Sequence, residues 1–428
     1  MSKPRRPDRH AGRPARGRVP AALLAALLLA AATILGACGS GDDDGSEDGA
    51  GGGSGGGDAI RIGSLFSTTG DGVAFGPQQL QAAELAVDRV NQEAGDDGEA
   101  GGDGVELELV QRDDESDSTT SAALMRELIV DEEVQAVLGP TFSNSAALAH
   151  PVADGLGTPV LAVSNTGPGI VGECEYSCEL IFRDSLGEEA ALPAVVDTVL
   201  GEPGGDRIET AVVAYPEADP FGMQTSDIAR DALEAGGVAE VTRTGGGWAI
   251  PVAIRAEPDL LMITASSGEK AAEMLAEARE LGFEGPILGG NAFNSRRAAQ
   301  EAGSAGEGAR SAAAWYLDNE APANTEFVEA YREAYDEDPD QFAAQAYTGV
   351  LLLAEAARQA AAGNSDGGDS AGDLAEQRQA LAEALAEVEL QTPLGPFAFT
   401  PDHDVIQPIW IVEMNGQGSY TLIEEITP

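Results

Sequence analysis

Two short loops hold the residues whose chemistry can be argued from type and spacing alone. Gly139-Pro-Thr-Phe-Ser-Asn-Ser145 and Ser164-Asn-Thr-Gly167 are rich in hydroxyls and amides, and each follows a β-rich apolar run, 134–138 and 159–163. Ser143 also opens a helical stretch that continues to Leu156, so its hydroxyl and the neighbouring N–H groups suit a carboxylate, which the helix dipole favours. The plain alternative for such Ser and Thr residues is capping a helix or closing a turn. Catalytic constellations are missing. Beyond residue 37 the histidines are His150 and His403, neither near a nucleophile in sequence, and there is no nucleophile elbow, zinc-binding histidine pair or phosphate loop ending in Lys. Asp113-Asp114 is an acid pair, but among 73 acids such pairs arise readily. The expectation is a protein that binds and does not catalyse, with no cofactor and no metal.

Cys174 and Cys178 lie in Glu173-Cys-Glu-Tyr-Ser-Cys-Glu179. Outside the cytoplasm so close a pair is expected to form a local disulfide, and two thiolates without a nearby histidine make a poor zinc site.

The elements that must position these loops alternate in type. A strand at 60–66 leads through Thr68-Thr69-Gly70-Asp71-Gly72 to Pro77, well placed at a helix start, and Leu80, Ala83, Val87 and Val90 then share one helical face. Strand 105–110 with helix 121–131, strand 134–138 with helix 143–156, and strand 159–163 follow. A second series runs through strand 209–215, helix 222–235, strands 238–243 and 260–264, helix 268–281 and strand 286–288. Repeated βα order implies an α/β fold with parallel sheets covered by helices on both faces. Two such sheets are expected in a chain of 428 residues with 43% apolar content. Three helices between 324 and 388 and short β segments near Phe397 and at 409–412 close the chain.

The N-terminus has a different character. A basic stretch to Arg18 precedes 16 mostly apolar residues, 20–35, too few to span a bilayer and suited to an export signal. Leu35-Gly36-Ala37-Cys38 resembles the lipobox of bacterial lipoproteins. That resemblance implies a signal peptide at 1–37, lipidation at Cys38 and anchoring to the outer side of a membrane. Residues 39–58 are Gly, Ser, Asp and Glu with almost nothing apolar, a tether with a reach of about 25 Å.

Charge excludes one class of partner. The net charge is −49, and residues 1–37 hold seven Lys or Arg against one acid, so the remainder carries −55. Nucleic acid is not an expected partner for such a surface. Acid excess on this scale suits saline or alkaline surroundings, where self-repulsion is screened.

Ile60-Arg-Ile-Gly63, Glu84-Leu-Ala-Val-Asp-Arg-Val-Asn91, Arg112-Asp-Asp-Glu-Ser-Asp117, Val137-Leu-Gly-Pro140, Ala278-Arg-Glu-Leu-Gly282, Ile287-Leu-Gly-Gly290 and Gln391-Thr-Pro-Leu-Gly-Pro396 occur in that order. Together they resemble the leucine/isoleucine/valine-binding family, the type 1 periplasmic binding proteins of ABC importers. The resemblance implies two lobes, 59–182 plus 317–393 and 183–316 plus 394–428, joined by three crossing segments near 182–184, 313–316 and 394–397. It implies a small solute in the cleft between them, an aliphatic amino acid first and amides, urea-like compounds or small carboxylates next, and an ABC permease as partner. A surface receptor sensing solute with the same fold is the alternative. By position the resemblance assigns Ser143 to the ligand carboxylate, Ser164 through its carbonyl, Thr166 through its hydroxyl, Phe75 and Phe221 as aromatics over the ligand, and Phe142 and Ser267 beside them. Relatives commonly carry an acid where this chain has Asn291, and that acid neutralises a ligand ammonium. Asn291 supplies hydrogen bonds and no charge, so either another acid substitutes, with Asp219 a candidate, or the solute is not a free α-amino acid. Trp248, in Gly245-Gly-Gly-Trp-Ala-Ile-Pro251, is expected to cover a sheet edge or line the cleft.

Overall fold

The computed structural model describes residues 59–96, 104–203, 207–363 and 373–428, all within one compact unit. The expected signal segment, lipidated Cys38 and tether lie outside the described residues. Five strands, β1 (Ile60–Phe66), β2 (Leu107–Asp113), β3 (Ala136–Leu138), β4 (Val160–Ala162) and β5 (Ile181–Arg183), form a wholly parallel sheet of order β2-β1-β3-β4-β5. Successive side chains on a strand face opposite ways, and both sets here are apolar. Ile62, Phe66, Leu138 and Leu161 meet Ala83, Ala86 and Val90 of α1 (Gly76–Asp96). Leu65, Val137 and Val160 meet Met125 and Leu128 of α2 (Ser118–Val130) and Ala146 and Ala149 of α3 (Ser143–Gly155). Burial on both faces is what a parallel sheet requires.

The second sheet repeats the plan. β6 (Thr210–Tyr215), β7 (Glu240–Gly245), β8 (Leu260–Ile263), β9 (Ile287–Gly289) and β10 (Arg310–Ala313) run parallel in the order β10-β9-β8-β6-β7. Val213, Met262 and Leu288 face Leu192, Val195 and Val196 of α4 (Glu188–Gly201) and Leu233 of α5 (Pro220–Ala235). Val212, Leu261 and Ile263 face Ile250 of α6 (Ala249–Arg255) and Leu275 and Ala278 of α7 (Gly268–Glu280). The short α8 (Arg296–Ala302) follows β9. Neither α4 nor α6 is anticipated from the sequence, because Pro193 and Pro251 interrupt their patterns.

The chain then returns to the first core with α9 (Pro322–Tyr335), α10 (Gln341–Gly363) and α11 (Leu374–Ala386), which bury Phe327, Tyr347, Val350 and Leu385 beside α1. A small antiparallel sheet of β11 (Leu390–Thr392), β12 (Gly395–Phe399) and β13 (Val405–Ile406) comes next, and β14 (Ile409–Met414) and β15 (Tyr420–Ile426) extend the second sheet antiparallel from β10. The third changeover between cores is therefore at 406–409 and not at 394–397. Leu394, Phe397 and Phe399 are buried in the first core, so 394–406 belong with it.

The first crossing segment is tied to the turn between β12 and β13 that precedes the third, and the chain just past the second crossing is tied to the turn before β12. Arg183 donates to both carboxylate oxygens of Asp404, at 2.8 and 2.6 Å, and its N–H donates to the carbonyl of His403, whose ring stacks on Phe182 at 4.1 Å. Asn319 Nδ2 donates to the carbonyl of Pro393 at 3.0 Å. Cys174 and Cys178 are disulfide-bonded in the loop between β4 and β5.

Candidate ligand-binding cleft

The loops after β3 and β4 stand at the carboxyl ends of parallel strands, where α/β sheets present ligand sites. A buried glutamine fixes them. Gln79 of α1 donates through Nε2 to Ser164 Oγ at 2.9 Å and accepts from Thr141 Oγ1 at 2.7 Å, while Ser164 Oγ donates to the Thr141 carbonyl at 2.7 Å. Ser143 is the first residue of α3, and its Oγ accepts from the Gly167 N–H at 3.2 Å, pinning one loop to the other. Thr166 is different: it is 1% exposed, its carbonyl accepts from the Glu188 N–H at 2.8 Å, and its Oγ1 has no partner among the described residues. A buried hydroxyl without a partner costs about 1–3 kcal/mol.

Aromatic rings close the space. Phe75 lies against Phe342 with centroids 4.3 Å apart and meets Phe142 edge-on at 5.8 Å. The turn carrying Phe75 packs too tightly for side chains on either flank: a Cβ at Gly76 would stand 2.0 Å from the Ser67 carbonyl oxygen, and one at Gly72 2.3 Å from Ser67 Cβ.

The second sheet supplies the opposite wall, from Phe221 at the start of α5, Ala265 and Ser266 after β8, and Asn291 and Ala292 after β9. Asn291 N–H donates to Glu188 Oε1 at 2.8 Å, and Asn291 Oδ1 accepts from Gln341 Nε2 at 2.6 Å. Between the walls lies a cavity of about 20 Å³ lined by Phe75, Phe142, Ser143, Ser164, Thr166, Phe221 and Asn291, together with Thr141, Ala265, Ser266, Ala292 and Phe342. Seven of the eight expected ligand residues thus meet around one space.

Ser267 is the exception. Its hydroxyl accepts from the Lys270 N–H at 3.4 Å as the N-cap of α7, which turns it into an outer pocket of about 380 Å³ and leaves the inner position to Ser266. Asp219 also lines that outer pocket, where its two oxygens accept from Ser266 N–H at 2.8 Å and Asn144 Nδ2 at 3.3 Å. Trp248 is 77% exposed at the start of α6 and lines neither space. Gln79, Gln341 and Glu188 were not foreseen, because each reaches the site from an element distant in sequence.

Burial dominates the electrostatics. Glu188, at the start of α4, is pushed up to about 7 by desolvation against a weaker opposing bond from Asn291 N–H. Asp184 in the first crossing segment is held well above the usual carboxylate range for the same reason, and both its oxygens lack partners among the described residues. His150 is driven down to about 4 and rests its Nε2 3.2 Å from the Gly139 carbonyl oxygen, a core residue under the first loop. Among the described residues no cluster of His, Cys, Asp and Glu is arranged to hold a metal.

A sequence model for periplasmic binding proteins matches residues 59–419. The chain belongs to that family. A leucine-, isoleucine-, valine-, threonine- and alanine-binding protein of Pseudomonas aeruginosa is 24% identical over 370 residues, 81% of this chain and 87% of that one. Among solved structures, the branched-chain amino acid transporter substrate-binding protein of Streptococcus pneumoniae in complex with isoleucine has a TM-score of 0.72 at 22% identity, over 86% of this chain and all of that one. A solute-binding protein of R. palustris in complex with benzoate has a TM-score of 0.71 at 21% identity, over 86% and 97%. This periplasmic binding protein has the type 1 fold and is similar to leucine/isoleucine/valine-binding members of the family, which are solute-binding components of ABC transporters.

Proposed function

We propose that this binding protein captures a small carboxylate-bearing solute with a compact apolar body and delivers it to an ABC permease from the outer side of a membrane, anchored through Cys38. The observation that carries the reading is the Thr166 hydroxyl, buried and unpartnered beside Ser143 at the N-terminus of a helix of 13 residues. Helix-terminal N–H groups and two hydroxyls suit a carboxylate, and Phe75, Phe142, Phe221 and Phe342 suit its apolar remainder. Aliphatic amino acids are the first class to test, since the relatives of P. aeruginosa and S. pneumoniae are named for them. Acids without an ammonium are a second reading, favoured by Asn291 and by the absence of any Asp or Glu from the cavity lining.

A cavity of about 20 Å³ admits little more than one water, so a solute enters only when the walls part. The three crossing segments are the hinge, and a solute touching both walls favours the closed form by its differential affinity. The permease then meets loaded and empty forms as different shapes. Titration calorimetry of the full chain in detergent, against amino acids, their deaminated acids, benzoate and amides, tests the assignment. One class should bind, and Thr166→Val should weaken it by about 1–3 kcal/mol. Undiminished binding in that variant would move the site elsewhere.

A further inference from the structure

Asn291 has two faces, an oxygen that accepts and a nitrogen that donates, and its neighbours decide which one meets the solute. The deciding group is a backbone N–H. Ala314 N–H, in the second crossing segment, is satisfied only by an oxygen, and Gln341 Oε1 stands 2.6 Å from it. Gln341 is 2% exposed, so its other end, Nε2, must find an acceptor inside the protein, and it donates to Asn291 Oδ1 at 2.6 Å. The Asn291 main chain is held as well, by Glu188 Oε1 on its N–H. With Oδ1 taken, Asn291 is left to show Nδ2, which donates to no protein group among the described residues. Turning the amide over would set one NH₂ group against another inside a buried chain of hydrogen bonds, at the cost of two unsatisfied groups.

This arrangement gives the cavity fixed N–H donors on both sides, with hydroxyls that can donate or accept. The α3 N-terminus and the hydroxyls stand on one side, the Asn291 amide on the other, and no carboxylate lines the space. An α-ammonium brought to Asn291 would meet N–H with N–H and lose its water without a countercharge. Resting on the reading of this cavity as the solute site, we infer that Gln341 is a specificity-determining positioning residue: it holds Asn291 as a donor, so the cleft selects carboxylic acids bearing a neutral oxygen acceptor beside the carboxylate, 2-oxo or 2-hydroxy acids, over α-amino acids. Asp219, a rival source of charge, lies in the outer pocket with its oxygens held by Ser266 N–H and Asn144 Nδ2, and Glu188 is the rival in contact with Asn291. It lies behind the Asn291 backbone, outside the lining, with Arg183 and Glu189 as its charged neighbours.

The test is calorimetry on the full chain in detergent, near pH 7, with leucine and 4-methyl-2-oxopentanoate, which share one carbon skeleton. The oxo acid should bind more tightly by at least about tenfold. In Gln341→Glu a carboxylate would accept from both Ala314 N–H and the Asn291 amide, turning the Asn291 oxygen toward the solute, and the preference should shift toward leucine by at least about tenfold. Gln341→Leu, which frees the Asn291 amide to adopt either face, should bring the two affinities together. Three results would overturn the inference: tighter binding of leucine by the native chain, a ratio unmoved in Gln341→Glu while Thr166→Val weakens both ligands, or leucine binding that Glu188→Gln abolishes. Binding of neither ligand, or binding untouched by Thr166→Val, would instead overturn the site reading itself and the inference with it.

Discussion

The two walls of the cleft are made in different ways. On the first, the loop hydroxyls follow directly from their strands, β3 running through Thr141 into Ser143 and α3 and β4 through Ser164 into Thr166, while Gln79 of α1, 62 and 85 residues from its two partners, ties the loops together. On the second, the loops after β8 and β9 contribute Ala265, Ser266, Asn291 and Ala292, and the orientation of the key amide is set by Gln341, 50 residues away, and Glu188, 103 residues away. Both walls are tied by hydrogen bonds between residues distant in sequence: on the first they lock two loops to each other, on the second they set the face of one amide. The first therefore fixes where a carboxylate sits, and the second fixes what its neighbouring substituent must be.

The largest expected effect comes from the ring packed between the walls. Phe75 belongs to the first wall but is buried in the second core against Phe342 and Phe142, so Phe75→Ala should cost about 3–5 kcal/mol of stability. Urea unfolding should show a lower midpoint with an unchanged slope. A cost near zero would mean that the two walls do not share a core.

Next in size is the buried carboxyl of the second wall. Glu188 has its folded-state value raised to about 7, so its protonated form is the one that folding favours. The stability it allows is complete below the ordinary glutamate range near 4.3 and is lost as pH rises through 7, about 3 kcal/mol in all. Glu188→Gln cannot ionise, so its stability relative to the native chain should improve by about 3 kcal/mol between pH 4 and pH 8. Asp340, also raised to about 7, titrates in the same window in both proteins and cancels from the difference. A pH-independent difference would show that Glu188 ionises freely and that the second wall carries a charge after all.

What the sequence revealed follows the same division. Strand–helix alternation and the opening of α3 at Ser143 were legible because they depend on local pattern, and the cavity gathers Ser143, Ser164, Thr166, Phe75, Phe142, Phe221 and Asn291. Ser267 went astray by a single residue, since in Ser266-Ser267-Gly268 either serine can cap the helix and only the turn geometry chooses. Gln341 gave no local sign of a role: it opens a helix whose pattern is that of a core element, and its partners Ala314 and Asn291 lie 27 and 50 residues away. The third crossing was misplaced because Leu394, Phe397 and Phe399 read equally well as core of either sheet, and only packing assigns them to the first.

A smaller effect sharpens the contrast between the walls. Thr166→Val keeps the shape of the side chain and removes its hydroxyl, so affinity should fall by about 1–3 kcal/mol while stability holds or rises, the unpartnered oxygen having been a cost in the free protein. Ser266→Ala on the facing wall should change affinity by less than about 0.5 kcal/mol, because the hydrogen bond that matters there is from its N–H to Asp219 and survives the change. Equal losses in the two variants would remove the asymmetry between the walls.

The smallest effect tests the edge of the cavity. Ser267 caps α7 with its hydroxyl on the Lys270 N–H, and it faces the outer pocket with Glu269, Glu273 and Lys270. Ser267→Ala should therefore cost about 1 kcal/mol of stability and leave solute affinity unchanged, while Ser267→Asp, which caps as well, should restore the stability. If alanine instead weakened binding, and aspartate failed to restore it, the solute would have to extend past Ser266 into the outer pocket. The inner cavity would then be only the carboxylate end of a longer site, and the acids around Lys270 would become part of what the solute meets.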